Sequence, residues 1–434
     1  MLKAISLYTG VGGLDFGFEA AGFETVAAVE MDPVACRTIR LNRRWSVLEG
    51  KVQDITSRDI LKAGGLRVGE AAVLIGGPPC QPFSKSSYWV TGDAGRLTDP
   101  RSDTLSSFLR VLRETKPRAF LLENVPGLAY KDKNEGLLHV LEGIKRVNRD
   151  AKTHYDPSCQ VLNAADFGVP QQRQRLFIVG ARDGARFTFP LPTHKDAVDA
   201  DLMDQGLEPY RTAWDALGDL PQRVDDEDLA LSGRWADLLP SIPEGNNYLW
   251  HTRRGGGERL FAWRSRYWSF LLKLKKTLPS WTIQAQPGPA IGPFHWTNRK
   301  LSAVELGRLQ TFPDGIHYDC TRLETQRLIG NAVPSLLTEI LGRAIREQLL
   351  DDRPRARALK LLPPARTDVP PEEKVGPVLE KYRSLIGHHP DHPGEGRGAG
   401  AVRRALAQKT ATKKKKPTTP QTTGPQPSLF AEAE

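Results

Sequence analysis

The chain has 434 residues, room for two or three compact units or for one large domain with an insertion. With 61 Lys+Arg against 51 Asp+Glu, a formal charge of +10, 39% hydrophobic residues and nine tryptophans, it is no disordered chain. Cys36, Cys80, Cys159 and Cys320 form no Cys-x-x-Cys pair and the histidines no His-Glu-x-x-His spacing, which argues against a disulfide framework and against a metal site. The opening MLKAISLYTGVGG resembles a signal peptide, but Asp15 and Glu19 follow closely and no apolar run reaches membrane-spanning length. A soluble, cytoplasmic monomer without membrane contact is expected.

Short apolar runs alternate with amphipathic segments from the start: KAISLY, GGLDFGFEAAG, TVAAVE, PVACRTIRLN, AAVLIGG, SDTLSSFLRVLRE, RAFLLENV and EGLLHVLEGIKRV. Such alternation predicts a doubly wound, Rossmann-like α/β sheet over residues 1–182. After RLFIVGAR the alternation stops while Pro, Gly and charge rise, so a smaller inserted domain is expected from Asp183 to Asn298. Within it, Asp196 to Asp228 is crowded with acids. Trp250 to Lys276 instead has eight basic residues and one acid, interleaving Arg253, Arg254, Arg259, Arg264 and Arg266 with Phe261, Trp263, Tyr267 and Trp268. This mixture suits a nucleic-acid surface; the same residues also fit an amphipathic helix, Tyr267 to Leu274, packed by its aromatic face. Two helical stretches, Ser302 to Gln310 and Pro334 to Gln348, close the folded region at residues 299–350. Residues 351–434 hold 16 basic and 10 acidic residues and 12 of the 33 prolines, the composition of a disordered tail. Its basic run from Arg403 to Lys416 fits either a solvated linker or a sliding contact to nucleic acid.

The chemistry-bearing residues fall at the carboxyl ends of the expected strands, the edge where open α/β sheets bind ligands. The first strand runs into LYTGVGGL, with Gly10, Gly12 and Gly13 in a Gly-x-Gly-Gly turn that fits a cofactor cradle or an ordinary tight turn. The second ends in Glu30, where a carboxylate can take both hydroxyls of a ribose, and the third near Asp54, placed to accept from an adenine amino group. The fourth runs into PPCQPFS, which sets Cys80 on a backbone stiffened by Pro78, Pro79 and Pro82. A lone cysteine is commonly inert core, but the polar residues that follow favour a nucleophile facing the ligand edge. The fifth, RAFLLENV, ends in Glu123 and Asn124, and a carboxylate there needs a partner.

GGPPCQPFS, the Glu123-Asn124-Val125 triplet, Gln171-x-Arg173-x-Arg175, RKLSAVELGRLQTFP and IGNAVP from Ile329 to Pro334 together resemble the DNA (cytosine-5) methyltransferase family of bacterial type, in the family's order, over about Ala4 to Arg346. Two departures stand out: Tyr8 replaces the family's usual Phe, and Met31 replaces the aromatic that often follows the ribose-binding acid.

The resemblance implies S-adenosylmethionine as cofactor, double-stranded DNA as partner, the insertion as target recognition domain, and base flipping to reach the cytosine. It implies catalysis by Cys80, Glu123, Arg173 and Arg175, with the two arginines favouring the Cys80 thiolate and burial raising the Glu123 pKa. The implied cofactor residues are Tyr8, Gly10, Gly12, Gly13, Leu14, Glu30, Met31, Asp54, Ile55, Pro78, Asn331 and Val333; the implied DNA contacts are Ser84, Gln171, Arg253, Arg254, Arg264 and Arg266. Ser84 to Asp99 resembles the family's active-site loop. A transfer-RNA cytosine methyltransferase and a non-catalytic DNA-binding regulator are the alternatives; a long insertion argues against the first, intact Cys80, Glu123 and Arg173 against the second. In the tail, Gln426, Leu429 and Phe430 resemble the Gln-x-x-Leu-Phe peptides that dock on bacterial sliding clamps; they fit either a clamp as a further partner or a disordered end with an incidental Leu-Phe pair.

Overall fold

The computed structural model describes residues 1–79, 103–129, 135–196, 206–224, 226–264, 267–352 and 358–387. Five apolar runs form parallel strands: β1 (Leu2–Leu7), β2 (Phe23–Glu30), β3 (Ser46–Glu49), β4 (Val73–Gly76) and β5 (Ala119–Asn124). β4 and β5 are buried along their whole length, as a strand covered on both faces must be. With β6 (Ser158–Asn163) and β7 (Gln174–Ala181) they make a seven-stranded sheet of order β3-β2-β1-β4-β5-β7-β6, in which β7 runs antiparallel to both β5 and β6. The direction of the sheet order reverses between β1 and β4, so a crevice opens beyond their carboxyl ends.

Helices cover both faces. On one, Leu14 and Phe18 of α1 (Gly13–Ala20) pack with Leu336, Leu337 and Leu341 of the late helix from Ser335 to Leu349. α2 (Pro33–Asn42) begins with Asp32 capping Val34 N. On the other face, α3 (Ser57–Ala63), α4 (Asp103–Thr115) and α5 (Glu135–Ala151) bury Ile60, Phe108, Leu112, Val140 and Ile144.

After β7 regular structure is sparse among the described residues: two-residue strands β8 (His194–Lys195) and β9 (Glu208–Pro209), α6 (Ala213–Leu217) and a few 3-10 turns. The stretch from Tyr267 to Leu274 is not the expected helix. It is a turn followed by extended chain bonded to Ala290 and Phe294, because Leu271, Leu272, Lys273 and Leu274 are all buried and no polar face is left for solvent. Lys273 ends on the Ile242 carbonyl and Lys276 on Glu244, so neither faces outward.

Three helices rather than two close the fold: α7 (Ala303–Leu309), α8 (Arg322–Asn331) and α9 (Ser335–Leu349). Capping boxes start α7 at Ser302 with Glu305, and α8 at Thr321 with Glu324. The tail also departs from expectation. Residues 358–387, ending in α10 (Glu380–Arg383), are packed on the body, with Val378 and Tyr382 buried beside Leu238, Ile242 and Phe294. Composition suggested disorder there because the groups that satisfy this segment are distant in the chain. Among the described residues no helix is long and apolar enough to cross a membrane, and no His/Cys/Asp/Glu cluster fits a metal ion.

Candidate active site

A cleft of about 410 Å³ lies at the reversal point, floored by the turns that follow β1, β2, β4 and β5 and walled by residues 327–333 of α8 and its exit. Its volume falls in the range of small-molecule sites. Tyr8, Gly10, Gly13, Leu14, Glu30, Met31, Pro78, Glu123, Arg175, Asn331 and Val333 all line it, which brings together much of the expected cofactor site.

The turn after β1 is shaped by left-handed backbone at Tyr8 (φ 55°), Gly10 (φ 57°) and Gly12 (φ 95°). At Gly13 the requirement is room, since a Cβ there would lie 2.6 Å from the Val333 carbonyl oxygen. Ser335 Oγ also donates to Gly13 O at 2.9 Å, so the closing helices are fastened to the first turn. Across the cleft, the Glu30 carboxylate accepts from Gly10 N at 2.7 Å and from Met31 N and Asp32 N at 2.8 Å each. Burial raises its pKa; the three amide bonds pull the other way and hold the carboxylate in place. A carboxylate thus fixed beside a glycine turn fits the ribose hydroxyls of S-adenosylmethionine, and Asn331 and Val333 supply the opposite wall.

Glu123, at the end of β5, is 8% exposed, and Arg175 Nε donates to its Oε1 at 2.8 Å. Burial raises the Glu123 carboxyl above the usual range, while the Arg175 and Arg173 guanidiniums pull it down. Gly77 makes space for this acid: a Cβ there would stand 2.8 Å from Glu123 Oε2. Asn124 Nδ2 donates to Pro78 O at 3.1 Å and Thr104 Oγ1 to Pro79 O at 3.0 Å, so the two residues before Cys80 are tied to β5 and α4.

Cys80 itself lies outside the described residues, as do Ser84 to Asp99, Arg266, the basic run Arg403 to Lys416, and Gln426, Leu429 and Phe430. Arg173 is described but does not line the cleft. It is 1% exposed and donates to Ile283 O at 3.1 Å and Gly330 O at 2.6 Å, joining the inserted segment to the end of α8. Gln171 likewise departs from its expected place on DNA. Fully buried, it donates to Leu309 O and Gln310 Oε1 and accepts from Ile283 N, and nothing of it remains for a DNA groove. Gly12, Asp54 and Ile55 fall outside the cleft lining; β3 ends at Glu49, before Asp54, which is exposed. Arg253 and Arg254 are exposed, with the Arg254 guanidinium 4.1 Å from the Trp263 ring centre, and Arg264 is half-buried. Sequence reading missed Asp32 and Arg327, which pair on the cleft rim; 295 residues separate them, and no local pattern announces the contact.

Residues 2–347 match the model of the C-5 cytosine-specific DNA methylase family. The chain is 40% identical to the Type II methyltransferase M.SacI of Streptomyces achromogenes over 378 residues, covering 81% of this chain and 95% of that protein. It is 44% identical to the Type II methyltransferase M.AquIA of Picosynechococcus over 237 residues, 53% of this chain and 93% of the relative. Among solved structures it resembles the S. pombe Dnmt2 methyltransferase, with TM-score 0.54 and 18% identity over 81% of this chain and all of that one; this likeness supports the fold alone. With the switch-point cleft and its two buried acids on an α/β methyltransferase sheet, the chain belongs to the C-5 cytosine-specific DNA methylase family. It is a DNA (cytosine-5) methyltransferase, related to bacterial Type II modification enzymes.

Proposed function

We propose that the chain transfers the methyl group of S-adenosylmethionine to C5 of a cytosine flipped out of a specific duplex DNA sequence, by way of a covalent bond between Cys80 and C6. The observation that carries this reading is the buried Glu123, held by Arg175 on the wall of the same cleft as Glu30 and the glycine turn.

Cytosine C5 is a poor nucleophile until sulfur adds to C6. Cys80 follows directly on Pro78 and Pro79, whose carbonyls are held by Asn124 and Thr104 at the cleft, and this adjacency supports Cys80 as the source of the thiolate. Negative charge then builds toward cytosine N3, where Glu123, its pKa raised by burial, donates a hydrogen bond or proton; Arg175 orients that carboxyl. When bound, S-adenosylmethionine supplies an electrophilic methyl group on its sulfonium. Glu30 would hold its ribose hydroxyls, and Tyr8, Leu14, Pro78, Asn331 and Val333, which line the same cleft, would enclose it. Once C5 is substituted, loss of its proton restores the ring double bond and expels the Cys80 sulfur. The target atom is inaccessible in a stacked duplex, so the base leaves the helix first.

Target reading is assigned to the insertion, residues 183–298, with Arg253, Arg254 and Arg264 facing DNA. Arginine reads guanine bidentately, so guanines are expected in the site beyond the one paired with the target cytosine. The Type II relatives support a role in restriction-modification; a cytoplasmic place close to the nucleoid is proposed along with it, because that is where the DNA substrate lies. The terminal Gln426, Leu429 and Phe430 are proposed as a tether to a sliding clamp. The direct test of the activity is transfer of labelled methyl from S-adenosylmethionine to unmethylated duplex DNA and to transfer RNA. Incorporation into DNA at position 5 of cytosine is expected; incorporation into RNA alone, or none, overturns the reading.

A further inference from the structure

Three carboxylates buried in the folded body accept hydrogen bonds from the backbone of one segment close to the end of the described chain. Glu339 of α9, fully buried, accepts from Lys360 N at 2.9 Å and Leu361 N at 3.0 Å. Asp215 of α6 accepts from Arg366 N at 2.6 Å, and Glu244 from Glu373 N at 2.9 Å. Side chains follow the same path: Arg366 pairs with Asp219 at 2.8 Å, Glu372 with Lys275 at 3.0 Å, and the Tyr382 ring stacks on Trp235 at 6.0 Å.

The segment therefore runs from one core to another. At its start Leu359, Leu361 and Leu362 pack on the sheet's core beside α9; at its end Val378 and Tyr382 complete the core of the insertion. Each carboxylate has a donor in the body as well, Arg343 for Glu339, Thr212 for Asp215 and Lys276 for Glu244, so release of the segment would strip each buried acid of part of its hydrogen bonding, and each contact resists it. The last of the three contacts matters most for placement. Glu244, which takes Glu373 N, also pairs with Lys276, and the neighbouring Asn247 Nδ2 donates to Trp268 O at 2.8 Å. Trp268 and Tyr267 are 49% and 56% exposed, and they form the aromatic edge of the insertion next to Arg264.

We propose that residues 358–387 are a positioning strap that sets the insertion, and with it the exposed Tyr267–Trp268 edge, against the catalytic sheet, with Arg366 and Tyr382 as its positioning residues. This rests on the reading of the insertion as the DNA-recognising domain. The strap acts on how DNA is presented, not on the cleft, because none of its residues lines the cofactor site.

The test uses the full chain with Arg366→Ala and Tyr382→Ala, singly and together, and with Arg366→Lys and Tyr382→Phe as conservative counterparts. Methyl transfer to unmethylated genomic duplex DNA gives KM and kcat, and calorimetry gives S-adenosylmethionine affinity. The strap predicts that the double variant raises the DNA KM tenfold or more and methylates additional sequences, with kcat at saturating DNA and cofactor affinity within twofold of wild type. The Lys and Phe variants recover most of the difference. Equal falls in kcat and cofactor affinity alongside the KM change would mark a general loss of fold and overturn the proposal, as would an unchanged KM. Exchange of residues 183–298 for the insertion of a relative separates the two readings. If the methylated sequence fails to follow the exchange, the recognition reading and the strap both fall; if it follows while the double variant leaves KM unchanged, the strap alone falls.

Discussion

Arg175 reaches back along β7 to place its Nε 2.8 Å from Oε1 of Glu123 on the neighbouring antiparallel strand β5. The pairing register sets Glu123 opposite Phe177, two residues from Arg175, which puts both side chains on the same face of the sheet. The carboxyl is thereby buried with its protonation held between two opposing influences, desolvation above and guanidinium below.

Glu123→Gln should keep the shape of this site and lose proton transfer. A kcat loss of about 10²- to 10⁴-fold is expected from removing a general acid or base, with DNA affinity within a few-fold of wild type. Single-turnover methylation and a gel-shift assay check it; a variant with near-normal kcat contradicts the role. Arg175→Ala removes the partner instead, and on the order of 3–5 kcal/mol of stability should go with it unless Glu123 takes up a proton. Chemical denaturation of this variant at pH 5 and pH 8 reads that directly: the deficit should be smaller at pH 5.

Glu30→Ala should act on cofactor binding. The change deletes the acceptor of three backbone amides and the proposed ribose contact. Hydrogen bonds to a charged group are worth about 1.5–3 kcal/mol each, so a loss of roughly 10- to 100-fold in S-adenosylmethionine affinity is expected. Calorimetric titration of the cofactor measures it, and affinity within twofold of wild type would remove Glu30 from the site.

Asp15 gives the fold a pH dependence of its own. It is fully buried in α1, takes Ser6 Oγ and Thr25 Oγ1 at 2.9 Å each, and burial pushes its pKa from 3.8 to about 7. The folded state therefore holds a proton that the unfolded chain has released between these values. Stability from this group is fully present below pH 3.8 and is lost as pH rises to about 7, by on the order of 4 kcal/mol. Asp15→Asn does not titrate, so its melting temperature should gain on wild type between pH 5 and pH 8. A constant difference across that range would show that Asp15 does not change protonation on folding.

Arg173→Ala should destabilise the junction rather than alter thiol chemistry alone. It would leave the buried carbonyls of Ile283 and Gly330 without their donors, at about 1–3 kcal/mol each. Urea denaturation measures this, with Arg173→Lys recovering part of the loss; unchanged stability would return Arg173 to the list of candidates acting directly on Cys80.

Legibility in the sequence followed the range of the interactions. β4 and β5 were readable because strands buried on both faces are almost wholly apolar, β1 and β2 because their carboxyl halves are buried, and Glu30 and Glu123 stood out as acids at the ends of such runs. α8 was missed although Thr321 and Glu324 spell its capping box, since few of its residues keep an apolar period. Lys273 and Lys276 read as a basic surface because their buried partners, Ile242 O and Glu244, lie some 30 positions earlier. The segment from residue 358 looked disordered for the same reason: its proline-rich composition hides the fact that Glu339, Asp215 and Glu244 wait for its amides. The third strand is shorter than its sequence suggests, as β3 stops at Glu49, ahead of Asp54.

The most direct test of the central claim is covalent trapping on DNA. Wild-type chain is incubated with S-adenosylmethionine and duplex DNA in which cytosine is replaced by 5-fluorocytosine, and the products are resolved under denaturing conditions. Fluorine cannot leave C5 as a proton does, so the Cys80–C6 bond persists. The expected result is a protein–DNA adduct that depends on the cofactor, maps to the peptide bearing Cys80 and is absent in Cys80→Ala. No adduct, or an adduct that survives Cys80→Ala, would contradict nucleophilic attack by Cys80.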